Sequence, residues 1–241
     1  MLLKSMEPFG LALEEFYQGN EQAKVIFHRD DGLMEDHYVS NYFRTKNEFS
    51  PLDKHAISLC HGKVLDIGAG VGPHSLELQN LGLDVVALDI SSHACEIMKK
   101  RGVKTVKCTS VYELEEINFD TILLMGSAIG FVEDLIGLKK FLGFCKNLLN
   151  QGGHILLDSL DIHKTSNPVH LAYQEKNCQM GCYFGEIRLQ MEYKGAKGEK
   201  FQILFVDSLT LRKIAHETEM TCKIQYFQED ENGVYLAEIL Q

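Results

Sequence analysis

A doubly wound α/β sheet, mostly parallel with an antiparallel C-terminal hairpin, is predicted for this chain of 241 residues. Three observations predict it. Short apolar runs alternate with helical patterns through the middle of the chain, which builds a parallel sheet covered by helices on both faces. The run Val64-Leu65-Asp66-Ile67 breaks into Gly68-Ala69-Gly70-Val71-Gly72 and opens into a helix at Pro73, where a first helical residue tolerates proline. The chain ends in two apolar runs, 222–228 and 234–240, around Glu229-Asp230-Glu231-Asn232-Gly233, which read as a hairpin.

The elements follow in order. Residues 8–19 read as an amphipathic helix with Phe9, Leu13 and Phe16 on one side. Lys24-Val25-Ile26-Phe27 reads as a short strand and Asp30-Asp31-Gly32 as a turn, whereas residues 34–50, rich in histidine and aromatics, give no clear element. A helix at 51–60 leads into a strand at 63–67. Strands near 84–88, 103–107, 119–125 and 153–158 are then separated by helices near 73–81, 92–101 and 133–149. The last of these helices places Leu135, Leu138, Leu142, Cys145 and Leu149 on one face. Tyr183 to Tyr193 and Phe201 to Val206 read as strands joined by the turn 194–198, and a helix follows at 208–219. The insert at about 183–206 and the segment 1–50 are expected to form a cap on a main domain spanning 51–241.

The glycine turn is a candidate nucleoside site. Gly68, Gly70 and Gly72 permit a tight turn and close approach of a ligand to the backbone. Val85-Val86-Ala87-Leu88 then ends at Asp89, and an acid about 20 residues past such glycines typically accepts hydrogen bonds from ribose hydroxyls. A dinucleotide dehydrogenase is one reading, but its fingerprint is G-x-G-x-x-G, and the spacing here is G-x-G-x-G. Asp66 also stands where a dehydrogenase strand is usually apolar. A carboxylate near the turn suits a ligand with a cationic amino group.

Val-Leu-Asp-Ile-Gly-Ala-Gly-Val-Gly with Ala-Leu-Asp-Ile-Ser resembles the first two motifs of class I S-adenosylmethionine-dependent methyltransferases. Phe119 to Gly126 resembles that family's fourth strand, and Leu148 to Asp158 its following helix end, turn and fifth strand. The likeness covers roughly residues 60–160 and implies a Rossmann-like sheet. More loosely, Tyr42-Phe43-Arg44 and Tyr235-Leu236-Ala237 are similar to segments of bacterial small-molecule members. The resemblance implies S-adenosylmethionine as cofactor and methyl transfer as activity. It implies that Gly68, Ala69 and Gly70 lie along the methionine part, with Asp66 supporting the ammonium. Asp89 would hold the ribose and Ile90 would pack on the adenine. Ser110 stands where family members often carry an Asp for the adenine amino group, with the Val111 backbone beside it. Met125 and Gly126 would lie beneath the reacting centre, and Arg44 would pair with the cofactor carboxylate. His74 reads as a solvated helix-start histidine or a contact to that carboxylate.

Composition narrows the acceptor. A net charge of -10 and the absence of a Lys/Arg cluster disfavour nucleic acid. Lys99-Lys100-Arg101 reads as a complement to a helix C-terminus. No apolar run is long enough to span a membrane, and Met1-Leu2-Leu3-Lys4 is too short a start for a signal peptide. Seven singly scattered cysteines fit reduced thiols and a cytoplasmic location. Cys178 and Cys182, with His163 and His170 upstream, match no usual zinc spacing and read as loop residues, so no metal is expected. A small-molecule acceptor is therefore expected, lined by Tyr42, Asp161 and Tyr183, with Tyr38 and Phe43 as further aromatic candidates. Asp158, Asp161 and His163 follow the fifth strand as possible bases, but none forms a recognisable catalytic pair. The Asn/Asp-Pro-Pro-Tyr segment of many amino-group methylases is replaced by Met125-Gly126-Ser127-Ala128-Ile129-Gly130. Two rival readings stand: a protein that holds S-adenosylmethionine or S-adenosylhomocysteine without chemistry, and an NAD-dependent oxidoreductase. Oligomeric state is not legible in the sequence.

Overall fold

The computed structural model describes residues 2–228 and 233–241. In chain order, α1 (Leu2–Tyr17) is followed by β1 (Lys24–Arg29), β2 (Met34–Tyr38), α2 (Pro51–Leu59), β3 (Lys63–Ile67), α3 (Pro73–Asn80), β4 (Asp84–Asp89), α4 (Ser92–Arg101) and β5 (Val106–Cys108). Then come β6 (Phe119–Leu124), α5 (Leu135–Leu148), β7 (Leu149–Leu160), α6 (Pro168–Gln179), β8 (Glu186–Tyr193), β9 (Ala196–Lys197), β10 (Phe201–Leu204), α7 (Ser208–Glu217), β11 (Thr221–Phe227) and β12 (Val234–Leu240).

The main sheet has seven strands in the order β11-β12-β7-β6-β3-β4-β5. Strands β3 to β7 run parallel, and β12 is antiparallel to both β7 and β11. The chain builds outward from β3 through β4 and β5, then crosses back to β6 and β7. That reversal opens a crevice at the carboxyl ends of β3 and β6, where ligands bind in open α/β sheets. The strands are buried on both faces and accordingly read as continuous apolar runs.

A second sheet, β10-β8-β1-β2 with β9 paired to β8, joins the N-terminal hairpin to the inserted one. β1 pairs with β2 on one side and β8 on the other, with Phe27 opposite both Glu35 and Met191. Phe9 and Leu13 of α1 pack with Val25, Met191 and Tyr193 of this sheet, and with Val71, Ala94 and Ile97 of the main fold. The second sheet is thereby bound to the rim of the crevice.

Several boundaries differ from the sequence reading. The helix expected from residue 8 starts at Leu2 and continues through Pro8 to Tyr17. Proline commonly opens a helix, but here its ring sits inside one, beside Gly198, which has no side chain to clash with the Lys4 and Ser5 carbonyls. Val103 is not in a strand. Its N–H closes the end of α4 on the Met98 carbonyl, so the strand begins at Val106. Residues 34–50 form β2 and two short 3-10 turns, Val39–Phe43 and Lys46–Glu48. Helix α6 is an addition to the expected elements, although Asn167 caps it and Pro168 opens it; Cys178 lies in this helix rather than in a loop. Residues 229–232 of the expected C-terminal turn lie outside the described residues. Among the described residues, no helix is long and apolar enough to cross a membrane.

Tyr183 serves packing rather than the crevice. Its hydroxyl donates to Asp207 Oδ2 at 2.6 Å and accepts from the Asp207 N–H at 3.0 Å, tying the end of α6 to the start of α7. Burial pushes its pKa upward. Tyr183→Phe should cost about 1–3 kcal/mol of stability, because the Asp207 carboxylate loses a hydrogen bond. A lowered urea midpoint with unchanged affinity for S-adenosylhomocysteine is the expected result; an unchanged midpoint would contradict this role.

Candidate active site

The crevice contains a cavity of about 500 Å³ built from both sheets. Its floor is the turn after β3. Gly68 and Gly70 have φ of 70° and 58°, left-handed values that favour glycine. The Gly68 and Ala69 N–H groups are both turned back onto the Leu88 carbonyl, fixing the turn to β4. A Cβ on Gly70 would meet only the Tyr42 ring, at 3.9 Å, so the space above this residue is open and capped by that ring.

Asp89 ends β4 beside the turn. Its Oδ2 accepts from the Gly70 N–H at 2.9 Å and its Oδ1 from the Ser91 N–H at 2.8 Å. Burial pushes its pKa up to about 6, against the opposing effect of these N–H donors. Ile90, Ser110, Val111 and Tyr112 continue the wall beyond it, and Met125 and Gly126 reach the cavity from the end of β6.

Arg44 and His74 close the other end. Both bond to Asp53 Oδ1, His74 through Nε2 at 2.8 Å and Arg44 through Nη2 at 3.1 Å. Asp53 itself is the third residue of α2, where its Oδ2 completes a capping box with Ser50. Burial alone would raise the Asp53 pKa, but His74, Arg44 and Ser50 together hold it well below the usual carboxylate range. Phe49 lies under this group, stacked on the His74 ring at 5.2 Å.

The second sheet supplies the roof: Met6 and Phe9 from α1, Phe27 from β1, and Met191 from β8, with Tyr42 from the turn after β2. The Tyr42 hydroxyl bonds to His37 Nε2 at 2.9 Å, and the Phe9 ring meets the Tyr42 ring edge-on at 4.8 Å. Burial pushes the Tyr42 pKa up to about 12, so it is a neutral phenol, and burial lowers that of His37. Phe131, Val132 and Glu133 complete the wall.

Of the expected cofactor residues, Arg44, Gly68, Ala69, Gly70, Asp89, Ile90, Ser110, Val111, Met125 and Gly126 line this one cavity. Asp66 does not. It lies behind the turn, 1% exposed, and accepts from Ser75 Oγ at 2.6 Å, so its carboxylate braces α3 against β3 instead of facing a ligand. Among the expected acceptor residues only Tyr42 lines the cavity. Asp161 caps a 3-10 turn through the His163 N–H, and Tyr183 is held by Asp207. Tyr38 is exposed, and Phe43 packs on Phe16 at 4.5 Å. Asp158 accepts from the Ser127 N–H at 2.9 Å, with burial raising its pKa to about 6, and does not line the cavity. His74 is buried and part of the wall, not solvated. Phe9, Phe27, Tyr112, Phe131 and Met191 also line the cavity; for Phe27 and Met191 the sequence carries no signal, because the inward face of β1 and β8 is set by pairing between distant segments.

Residues 65–157 match the family model described as a methyltransferase domain. No curated protein sequence matches the chain. Among solved structures, the chain is similar to a SAM-dependent methyltransferase from Bacteroides fragilis crystallised in complex with S-adenosyl-L-homocysteine. That likeness has 29% identity and a TM-score of 0.83, covering 98% of this chain and 95% of that one. It also shares its fold with a SAM-dependent methyltransferase from Methanosarcina mazei, at 18% identity and a TM-score of 0.58, covering 80% of this chain and 96% of that one. The methyltransferase CcbJ from Streptomyces caelestis matches at 10% identity and a TM-score of 0.58, covering 80% of this chain and 93% of that one. With its switch-point crevice, glycine turn and strand-end acid, the chain is a class I S-adenosylmethionine-dependent methyltransferase.

Proposed function

We propose that this enzyme methylates a small, neutral or basic acceptor held between the glycine turn and the second sheet. One observation carries the reading. A single cavity brings together the strand-end residues of β3, β4 and β6 and a roof of Met6, Phe9, Phe27, Tyr42 and Met191. The cofactor residues fit the group. The open space above Gly70 admits a chain against the backbone, the buried Asp89 carboxylate accepts hydroxyl donors, and apolar Ile90 and Val111 flank a flat ring. Arg44 keeps donors beyond those used on Asn41 and Asp53, which suits the cofactor carboxylate.

When bound, S-adenosylmethionine supplies a methyl group on a sulfonium, which is displaced in line. The chain's task is then positioning. Met125 and Gly126 limit the approach from below, and the aromatic roof excludes water and favours the sulfonium by cation–π contact. The Tyr42 hydroxyl, fixed by His37, is a polar atom within an otherwise apolar roof and orients the acceptor's nucleophile. Among the described residues, the roof offers no Lys or Arg to pair with an anionic acceptor; Glu133 is the charged group on that side. Nucleic acid is disfavoured by the net charge of -10.

A screen of neutral phenols, alcohols, thiols and amines against anionic acids, read as S-adenosylhomocysteine release, tests this. Turnover confined to neutral or basic acceptors is expected; turnover of phosphorylated or polyanionic acceptors would overturn the acceptor class. With the acceptor found, Tyr42→Phe should lower kcat/KM by about fivefold, the worth of one hydrogen bond of roughly 1 kcal/mol in a dry site. Cofactor affinity should stay within about twofold; a fall in cofactor affinity alone would move Tyr42 to the cofactor.

A further inference from the structure

The position of Asp66 behind the turn leaves the ammonium of the cofactor's amino-acid end without its expected partner. We propose that His74 Nδ1 accepts a hydrogen bond from that ammonium, and that Asp53 is the positioning residue that fixes the ring for it. This rests on the cofactor reading above and adds the recognition of a zwitterionic amino-acid tail.

Asp53 is 5% exposed and fully engaged: Ser50 N–H and Oγ–H donate to Oδ2, and His74 and Arg44 donate to Oδ1. With its pKa held below the carboxylate range it is ionised, and an ionised carboxylate only accepts. His74 Nε2 must therefore carry the proton in the 2.8 Å bond. In a neutral imidazole the other nitrogen is then a lone-pair acceptor. Among the described residues nothing bonds to Nδ1, although His74 lines the cavity next to the Gly68–Gly70 turn. The ring cannot swing to expose Nε2, because it is stacked on Phe49 and pinned by Asp53.

Arg44 is presented by the same carboxylate. Its Nη1 donates to the Asn41 carbonyl at 2.7 Å and its Nη2 to Asp53, while the guanidinium lies over Phe49. Asp53 thus sets the Arg44 guanidinium and the His74 ring side by side. That pairing matches an α-amino acid, whose carboxylate and ammonium are one carbon apart. A ligand lacking the ammonium would gain nothing from His74.

Titration calorimetry on the full chain with three probes tests this: S-adenosylhomocysteine, its deaminated analogue that keeps the carboxylate, and 5′-methylthioadenosine, which lacks both groups. The wild-type chain should prefer S-adenosylhomocysteine over the deaminated analogue. His74→Leu should weaken S-adenosylhomocysteine by about tenfold or more, the scale of a hydrogen bond to a charged group. It should leave the other two probes within about twofold, which also shows that the variant is folded. His74→Asn, which returns an acceptor near the Nδ1 position, should recover part of the loss. In the wild-type protein the 15N resonance of His74 Nδ1 should shift on binding S-adenosylhomocysteine and stay put with 5′-methylthioadenosine. Equal loss for all three probes, no loss for any, or an Nδ1 that carries the proton in the complex would overturn the proposal. Failure of the wild-type chain to bind S-adenosylhomocysteine at all would instead overturn the cofactor reading.

Discussion

Gly70→Val is expected to abolish binding of S-adenosylmethionine, with at least about a hundredfold rise in Kd. Two linked costs act, one on the fold and one on the ligand. At φ 58° a β-branched residue is strained, by about 1–3 kcal/mol. Its methyl groups would also fill the gap between the turn and the Tyr42 ring, which lies only 3.9 Å from the new Cβ. The protein can relieve one cost only by worsening the other, since rotating the backbone breaks the 2.9 Å bond from Gly70 N–H to Asp89. Calorimetry against S-adenosylhomocysteine reads the affinity, and a far-ultraviolet thermal melt shows whether the fold survives. A folded variant with normal affinity would contradict the placement of the cofactor over this turn.

Asp89→Asn is expected to weaken the same ligand by about tenfold to a hundredfold, corresponding to roughly 1.5–3 kcal/mol for charge-assisted hydrogen bonds. The pH dependence carries the sharper signature. In the free protein burial raises Asp89 to about 6, whereas an ordinary aspartate titrates near 3.9. The folded state therefore holds this proton more tightly than the unfolded chain does. On that account Asp89 lowers the stability of the ligand-free protein as pH rises from about 4 to about 6, and no further above that. Ribose hydroxyls donate to the ionised form, so binding pulls the pKa back down. Affinity should then fall as pH drops below about 6, by up to about tenfold per unit, and binding near pH 6 should release a proton. The Asp89→Asn substitution removes the titration, so the variant's affinity should be flat over that range. A wild-type affinity that is also flat between about pH 5 and 7 would remove Asp89 from the ribose.

The parts legible in the sequence are those whose function requires neighbours along the chain. Gly68, Gly70 and Gly72 must be close in sequence because one turn uses them, and Asp89 must follow one helix and one strand later. Helices α3 and α4 and strands β3, β4 and β6 carry their own apolar periods and caps, so they stand nearly where the sequence predicts them. The roof is not legible in this way. Phe27 and Met191 face each other in register across a sheet that joins the N-terminal hairpin to the inserted one, and neither run differs from an ordinary amphipathic strand. Asp66 is a different case. Its motif position points to a ligand, but the pleat turns its carboxylate to Ser75 on the first turn of α3. Asp161 follows the fifth strand and Tyr183 opens the inserted hairpin, yet their hydrogen bonds are made to a local turn and to Asp207. The role of His74 is legible only in part: Ser50-x-x-Asp53 is a capping box, but its second use, as a partner for Arg44 and His74, appears only when α2 and α3 meet.

The measurement that bears most directly on the central claim is a parallel calorimetric titration of the full chain with S-adenosylmethionine, S-adenosylhomocysteine and NAD. Saturable one-site binding of the first two, with no heat from NAD, is the predicted result. Binding of NAD, with neither adenosylated ligand engaged, would contradict the account and return the glycine turn to dinucleotide chemistry.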